Sequence, residues 1–417
     1  MKLNEMLEDI LKVLRKPICD HCLGRLFSQI LPNMKNEEKG KVIRDFIAML
    51  IDGKFVEHSN LEPSNFQNYK FKENKEFEKI KKKSEKCWVC GNLFEKIDNL
   101  LTKAKKKLDK IEFNNFLVGS KISEDVMVRE EKLWEITGIK YVESIKSEIN
   151  REVGKRIRVL FKKKVNYRRP DIVIVLNFEK DDVEIQINSL YIFGYYKKLA
   201  RGIPQCKWGT PGKYRTSIQQ IIAKPIMKFT KGKDNSFHGY GREDIDARCL
   251  DWRPFVIEIM EPKKRNINLR KIEKEINKSK KVKVKGLKFS NKVTVVRIKT
   301  EKGDKTYRAL VKFDKSIEKK ELKKLKELVG IIEQRTPLRV LHRRADLIRK
   351  REVKMIKYKF INKKTIELKV KAAAGLYIKE LISGDQGRTR PSVSEVLGCK
   401  AICKELDVIK IEKPKNL

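Results

Sequence analysis

Residues 239–258 read GYGREDIDARCLDWRPFVIE. Three acids (Glu243, Asp244, Asp246) stand among Arg242, Arg248 and Arg253, directly before an apolar run at 255–260 that has the length of a strand. Carboxylates and guanidiniums concentrated at a strand end suit an active-site edge, because the arginines favour the charged form of an acid. Taken by itself the cluster fits a surface salt-bridge loop better. Downstream, strand-like runs fall at 293–299, 306–313, 354–360 and 365–371, with helices near 318–329, 376–382 and 392–397. Strands outnumber helices and several pair through short turns, which predicts an α+β fold with a mixed, largely antiparallel sheet.

Upstream, a helix over 216–228 follows GYYKKLARGIPQCKWGTPGKYRTS (194–217), which has no steady period and reads as a long basic loop. Long loops inside compact domains tend to be functional. Before it lie strand-like runs at 157–161, 172–178 and 183–187 and a helix over 141–152. The first hundred residues are helical by pattern, with helices over 3–15 and 36–52, the latter placing Val42, Ile43, Phe46, Ile47 and Leu50 on one face. There is no repeat of fixed period. The boundary falls near 190–200, giving domains 1–195 and 196–417.

The chain has 417 residues, more than one core usually organises. Lys and Arg total 99 against 56 Asp and Glu, a net charge of +43 that repels itself in a compact fold. A polyanionic partner explains it, through release of counterions from phosphates. A Lys-rich proteome explains part of it, and the Lys/Glu mixture of 315–328 (KSIEKKELKKLKEL) fits a solvated helix face. No apolar stretch approaches the length that spans a bilayer, and the acid-containing amphipathic N-terminus reads as neither signal peptide nor anchor. We expect a soluble, cytoplasmic protein without membrane contact, and a monomer.

Eight cysteines in such a chain point to metal or free thiols rather than to a disulfide framework. Cys19-Asp-His-Cys22 and Cys87-Trp-Val-Cys90 form two CxxC pairs, 64 residues apart, each able to place two thiolates on one tetrahedral ion. A redox CxxC would follow a strand and open a helix, which neither pair clearly does. Structural Zn2+ is the expectation, with His21 as a spare ligand inside the first turn. Cys206, Cys249, Cys399 and Cys403 share no such spacing.

Gly241-Arg242-Glu243-Asp244 resembles the G-R-T-D motif of pseudouridine synthases, with Glu243 in place of Thr. The stretch GREDIDAR…RPF resembles the archaeal and eukaryotic type that acts on the T-arm of tRNA. RGIPQ…W (201–208), TYRALV (306–311), RTPLRVLHRRAD (335–346) and AGLYIKELISGDQGRTRPSVSEVLG (374–398) resemble further pieces of that type in the same order, as do the paired CxxC motifs. The resemblance spans nearly the whole chain. It implies a pseudouridine synthase catalytic domain preceded by a zinc-containing, THUMP-like tRNA-binding domain. It also implies isomerisation of uridine at tRNA positions 54 and 55.

By motif position Asp244 is the catalytic carboxylate, with Asp246 second, where the wider superfamily has Gly. No cofactor is expected for catalysis: one carboxylate suffices, by adding to the sugar or base or by stabilising a charged intermediate. The resemblance makes Tyr307 a stacking platform for a flipped base. It places Tyr377 and Ile378 at a helix start beside the substrate, Lys379 against Asp244, Leu397 on the apolar wall and Arg242 at the site. As residues alone, Tyr307 fits a core strand position better, Leu397 fits a core position equally well, and for Lys379 an exposed lysine is a serious competing reading. Arg339, His342, Arg343 and Arg344 are expected on phosphates, and Arg201 with Trp208 on a finger that opens the tRNA elbow. The turn after Asp246 (ARCLDWRPF) lacks the glycines usual in this type, and Leu376 stands where a capping Thr is common.

Two other readings are weighed. A tRNA thiolase or methyltransferase built on the same RNA-binding module would need a Ser/Gly-rich pyrophosphate loop or a glycine-rich loop with Asn-Pro-Pro, and neither is found. A non-catalytic RNA-binding protein would leave the ordered motifs of 241–398 unexplained.

Overall fold

The computed structural model describes residues 3–80, 83, 85–206 and 214–413. The chain divides into two compact units, residues 1–188 and 189–417. The division precedes the expected 195/196 boundary because the strand Leu190–Lys198 pairs wholly within the second unit.

In the first unit, helices α1 (Leu3–Val13), α2 (Asp20–Gly24), α3 (Asn36–Asp52), α4 (Lys75–Ile80) and α5 (Ile97–Leu108) lead into β1 (Asn115–Lys121). Then come α6 (Glu124–Thr137), α7 (Ile145–Phe161), β2 (Lys164–Val165), β3 (Ile172–Asn177) and β4 (Asp182–Ile187). The strands form one sheet of order β2-β1-β3-β4, parallel at β1–β2 and β1–β3 and antiparallel at β3–β4.

Two expectations fail here. The run IRVLF at 157–161 is the last part of α7, not a strand: Ile145, Ile149, Val153 and Ile157 recur every fourth residue and are all buried, while Val159 and Leu160 face solvent. The basic residues Lys155, Arg156 and Arg158 therefore lie on a helix. On α3 the buried stripe is Gly40, Arg44, Ile47, Ala48 and Ile51, whereas Val42 and Phe46 are exposed. Hydrophobicity mis-phased this helix because Arg44 is drawn inward by Asp20 and two backbone carbonyls.

The second unit contains β5 (Leu190–Lys198), α8 (Ile218–Thr230), β6 (Asp234–Gly239), β7 (Arg248–Met260), α9 (Leu269–Ile276), β8 (Val282–Ser290), α10 (Lys292–Thr300) and β9 (Lys305–Phe313). It continues with β10 (Gly330–Arg335), β11 (Ile348–Asn362), β12 (Thr365–Ala372), α11 (Ile378–Ser383), β13 (Thr389–Arg390), α12 (Val393–Val396) and β14 (Ala401–Ile411). All ten strands join one mixed sheet of order β13-β10-β11-β12-β9-β14-β7-β5-β8, with β6 also on β7. Every pairing is antiparallel except β14–β7. One core lies under α8 and α9, against Ile192, Tyr196, Phe255 and Ile257. Another joins β9, β12 and β14 to α11 and α12.

Three further expectations change. The expected loop at 194–217 begins as strand, through Lys198. The apolar segment 293–299 is helix α10 rather than a strand. Asn291 accepts from the Val293 and Thr294 N–H groups and caps it, so Val295 and Ile298 turn inward while Val293 and Val296 stay exposed. The segment 321–328 winds as a 3₁₀ helix. Among the described residues, no helix is long and apolar enough to cross a membrane.

Candidate active site

The residues 240–247 enter β7 through a bend that needs Gly241: its φ is +69°, and a Cβ there would sit 2.7 Å from the Lys305 amine. Next along, Glu243 turns inward to the fully buried Arg253, with 2.9 Å between its Oε2 and a guanidinium nitrogen. That pairing throws the Asp244 side chain outward. Lys198, itself buried, donates to the Asp244 and Ile245 carbonyls at 3.1 and 2.8 Å. The bend is thus held by the Lys198 side chain from β5.

Asp244 lines an open cleft of about 530 Å³ together with Arg242, Tyr307, Arg339, Arg343, Arg344, Tyr377 and Ile378. Both carboxylate oxygens meet the Arg339 guanidinium, at 3.1 and 3.0 Å. Arg339 also donates to the buried Glu380 at 2.6 Å, so it bridges two acids. Arg339, expected on phosphates, is thus engaged by two carboxylates in the free chain. Lys379 lies 3.7 Å from Asp244 and hydrogen-bonds instead to Asp246, at 2.6 and 2.8 Å. Partial burial opposes the Asp246 charge, yet the Lys379 ammonium outweighs it and holds this acid below its usual range.

Tyr307, on β9, is pushed up to about 12 by burial and keeps its phenolic proton at ordinary pH. Tyr377 accepts a hydrogen bond from Arg344 at 2.6 Å. The buried Gln334 replaces the missing Thr cap: it accepts from the Tyr377 N–H at 2.8 Å and donates to the Tyr377 carbonyl at 2.9 Å. Burial, and then Arg344 and Arg343, lower the pKa of Arg242. Such a concentration of guanidiniums lacks enough acids to neutralise it, which suits an anionic ligand. Lys305 lines the cleft as well, and burial lowers its amine to about 8.

Three assigned residues fall elsewhere. Leu397 is buried in the core among α11 and α12 and is not part of the cleft wall. His342 is exposed outside it. Arg201 is no free finger cation: it donates to the Asp246 and Leu406 carbonyls and pairs with Glu405 and Asp407. Trp208 lies outside the described residues. Asp407 itself, barely exposed, gathers Arg201, Arg248 and Arg308 at 2.8 Å each. Burial disfavours its charge, but Arg248, Arg308 and Arg201 overcome that and bring it down to about 2. Sequence reasoning missed Glu380, Gln334, Lys305 and Asp407, whose neighbours in space are far away in the chain.

In the first unit, the sulfurs of Cys19, Cys22, Cys87 and Cys90 all lie within 4.8 Å of one another, and three of the four residues are buried. Cys19 and Cys90 approach to 3.6 Å, far beyond a disulfide bond. His21 is turned away, with Nδ1 2.9 Å from Glu148 and its ring stacked on Phe94. Beneath lies Arg25, fully buried and with no hydrogen-bond partner for its guanidinium, although Glu130 stands 3.4 Å from it. A divalent ion on four thiolates carries a net double negative charge, which would add to that of Glu130 in offsetting this buried guanidinium. The donor set and its surroundings fit a closed metal site.

Residues 191–412 match the family described as Pus10, C-terminal, and residues 100–177 that described as Pus10 THUMP domain, archaeal. The chain is 39% identical, over 98% of its length and 95% of the relative's, to the tRNA pseudouridine synthase Pus10 of Methanothrix thermoacetophila. It is 41% identical, over 98% of its length and 97% of the relative's, to the protein of the same name from Pyrococcus furiosus. The chain belongs to the Pus10 family of tRNA pseudouridine synthases.

Proposed function

We propose that this chain isomerises uridine to pseudouridine in the T-arm of tRNA, at positions 54 and 55, with Asp244 as the catalytic carboxylate. The observation that carries the reading is Asp244 itself: a half-exposed acid at the cleft wall, both oxygens oriented by one guanidinium, with Tyr307 in the same cleft. Isomerisation breaks the N1–C1′ bond, rotates the base, joins C5 to C1′ and releases the C5 proton. Asp244 supplies the negative oxygen, either as nucleophile or as the counter-charge of the intermediate. Tyr307, neutral by burial, offers its ring to the flipped uracil rather than a phenolate base. Tyr377 and Ile378 flank the base, and Arg242, Arg343 and Arg344 receive the phosphates that accompany it. Lys379 acts one step removed, by holding Asp246 and with it the bend that carries Asp244.

The four cysteines would hold Zn2+, a tetrahedral ion that needs no open position here and ties the α2 turn to the segment before α5. The enzyme would act as a monomer in the cytoplasm, a compartment that keeps such thiols reduced.

The test uses unmodified tRNA transcript and the Asp244→Asn variant. The parent should form pseudouridine at positions 54 and 55, and the variant should bind the transcript equally while forming none. Product in the variant, or no T-arm product in the parent, would overturn the assignment.

A further inference from the structure

Residues 276–300 carry nine Lys or Arg and no Asp or Glu, whereas the Lys-rich stretch 315–328 interleaves its lysines with glutamates. The fold turns this stretch into the edge strand β8 and the helix α10. On β8, Lys283 stands opposite Lys197, Lys285 opposite Tyr195 and Lys288 opposite Phe193. Cross-strand partners share a face, so these side chains lie together on the side of β5 away from α8 and α9. Trp252 joins them from β7, half-exposed, with the Lys197 ammonium 4.8 Å and the Lys285 ammonium 4.6 Å from its ring. Lys288 lies 4.8 Å from the Phe193 ring.

Two lysines facing each other across a ladder, and two ammoniums over one indole, repel. Among the described residues, none of Lys197, Lys285 and Lys288 has a carboxylate partner. Nearby, Asp251 accepts from the Trp252 and Ile411 N–H groups and has Lys413 at 3.7 Å, and Glu258 is taken up by Tyr191 and His238. Ring contact fixes where the ammoniums sit but leaves their N–H donors free. This is a rigid, aromatic-bearing surface with unsatisfied positive charge. It also adjoins the cleft: α10 packs Val295 and Ile298 on the same face, and Ile298 and Lys299 line the cleft wall.

We infer that Trp252, Lys197, Lys285 and Lys288 form a second RNA-binding surface, which carries the strand leaving the catalytic cleft: the lysines take its phosphates and Trp252 stacks on an unpaired base. The inference rests on the reading of the chain as an RNA-modifying enzyme. An RNA strand fits better than a membrane, because these four side chains stand on a rigid sheet face rather than on an insertable amphipathic helix.

The test compares the parent with Trp252→Leu and with the triple variant Lys197→Gln, Lys285→Gln, Lys288→Gln. Equilibrium binding of unmodified tRNA transcript is measured across salt concentrations, together with single-turnover rate at saturating RNA. The triple variant should bind at least roughly tenfold more weakly, its salt slope reduced by about 0.7–0.9 per lysine. Trp252→Leu should lose roughly fivefold or more in affinity and reduce the RNA-induced quenching of tryptophan fluorescence. The saturated rate should not change. Parent-like affinity and salt slope overturn the inference, as does preserved affinity with a lower saturated rate. Stronger loss of binding to phosphatidylserine vesicles than to RNA overturns it too. Weakened RNA binding by the variants, with no pseudouridine formed even by the parent, would uphold this surface and sink the proposed reaction instead.

Discussion

Asp407→Asn removes the carboxylate that three arginines share. The fall of its pKa from the ordinary 3.8 to about 2 is worth ~2.4 kcal/mol of folding free energy at roughly 1.4 kcal/mol per pH unit. The side chain is only 3% exposed, so solvent screening subtracts little. The pKa is depressed in the folded state, so this stability is fully present above the unfolded value near 3.8 and is lost as pH falls through about 2. The variant should therefore be ~2–3 kcal/mol less stable at pH 7, with a gap to the parent that narrows below pH 4. Asparagine leaves Arg201, Arg248 and Arg308 repelling one another, and Arg201 also ties the Asp246 and Leu406 carbonyls. Hydrogen exchange should consequently accelerate first in 244–250 and 401–411. Urea titration of the full chain at pH 7, 4 and 3, with peptide-resolved exchange, reads both effects. A loss under ~0.5 kcal/mol at pH 7, or a gap that does not shrink with acid, would refute the reasoning.

Arg339→Met should slow single-turnover isomerisation roughly tenfold at saturating RNA, the lower end for a charge-assisted pair because Arg339 and Asp244 are about a third exposed. Arg339→Lys should fall between, keeping charge without the fork; weaker RNA binding at an unchanged rate would return Arg339 to phosphate contact. Lys305→Met should raise stability by ~3 kcal/mol at pH 7, because burying this ammonium lowers its pKa from 10.5 to about 8. In the parent that penalty should fade as pH climbs from 8 toward 10.5, and a variant no more stable than the parent contradicts it. Denaturing the protein with a colorimetric chelator present should release about one zinc ion per chain, and Cys22→Ser should release none while losing exchange protection around 19–27 and 87–97. Retention of metal by Cys22→Ser would place the ion elsewhere.

The sequence by itself determined the α+β class, the pairing of CxxC turns and the carboxylate motif at 241–244, because each is written in local spacing or in a short contiguous pattern. It also marked the helix start at 377–379. Phase was where local reading failed. Four apolar residues within 157–161 and four within 293–299 suit a strand as well as a helix, and only the four-residue recurrence of α7 and the Asn291 cap of α10 separate the two. The division of labour among charges was decided by the tertiary structure alone. Which cation reaches Asp244 depends on Glu380 and Asp246 capturing Arg339 and Lys379, and Arg201 becomes an internal strap because β14 brings Asp407 beside β7. A salt bridge forms between residues a hundred positions apart once the backbone has set their distance, and no pattern along the chain records that distance.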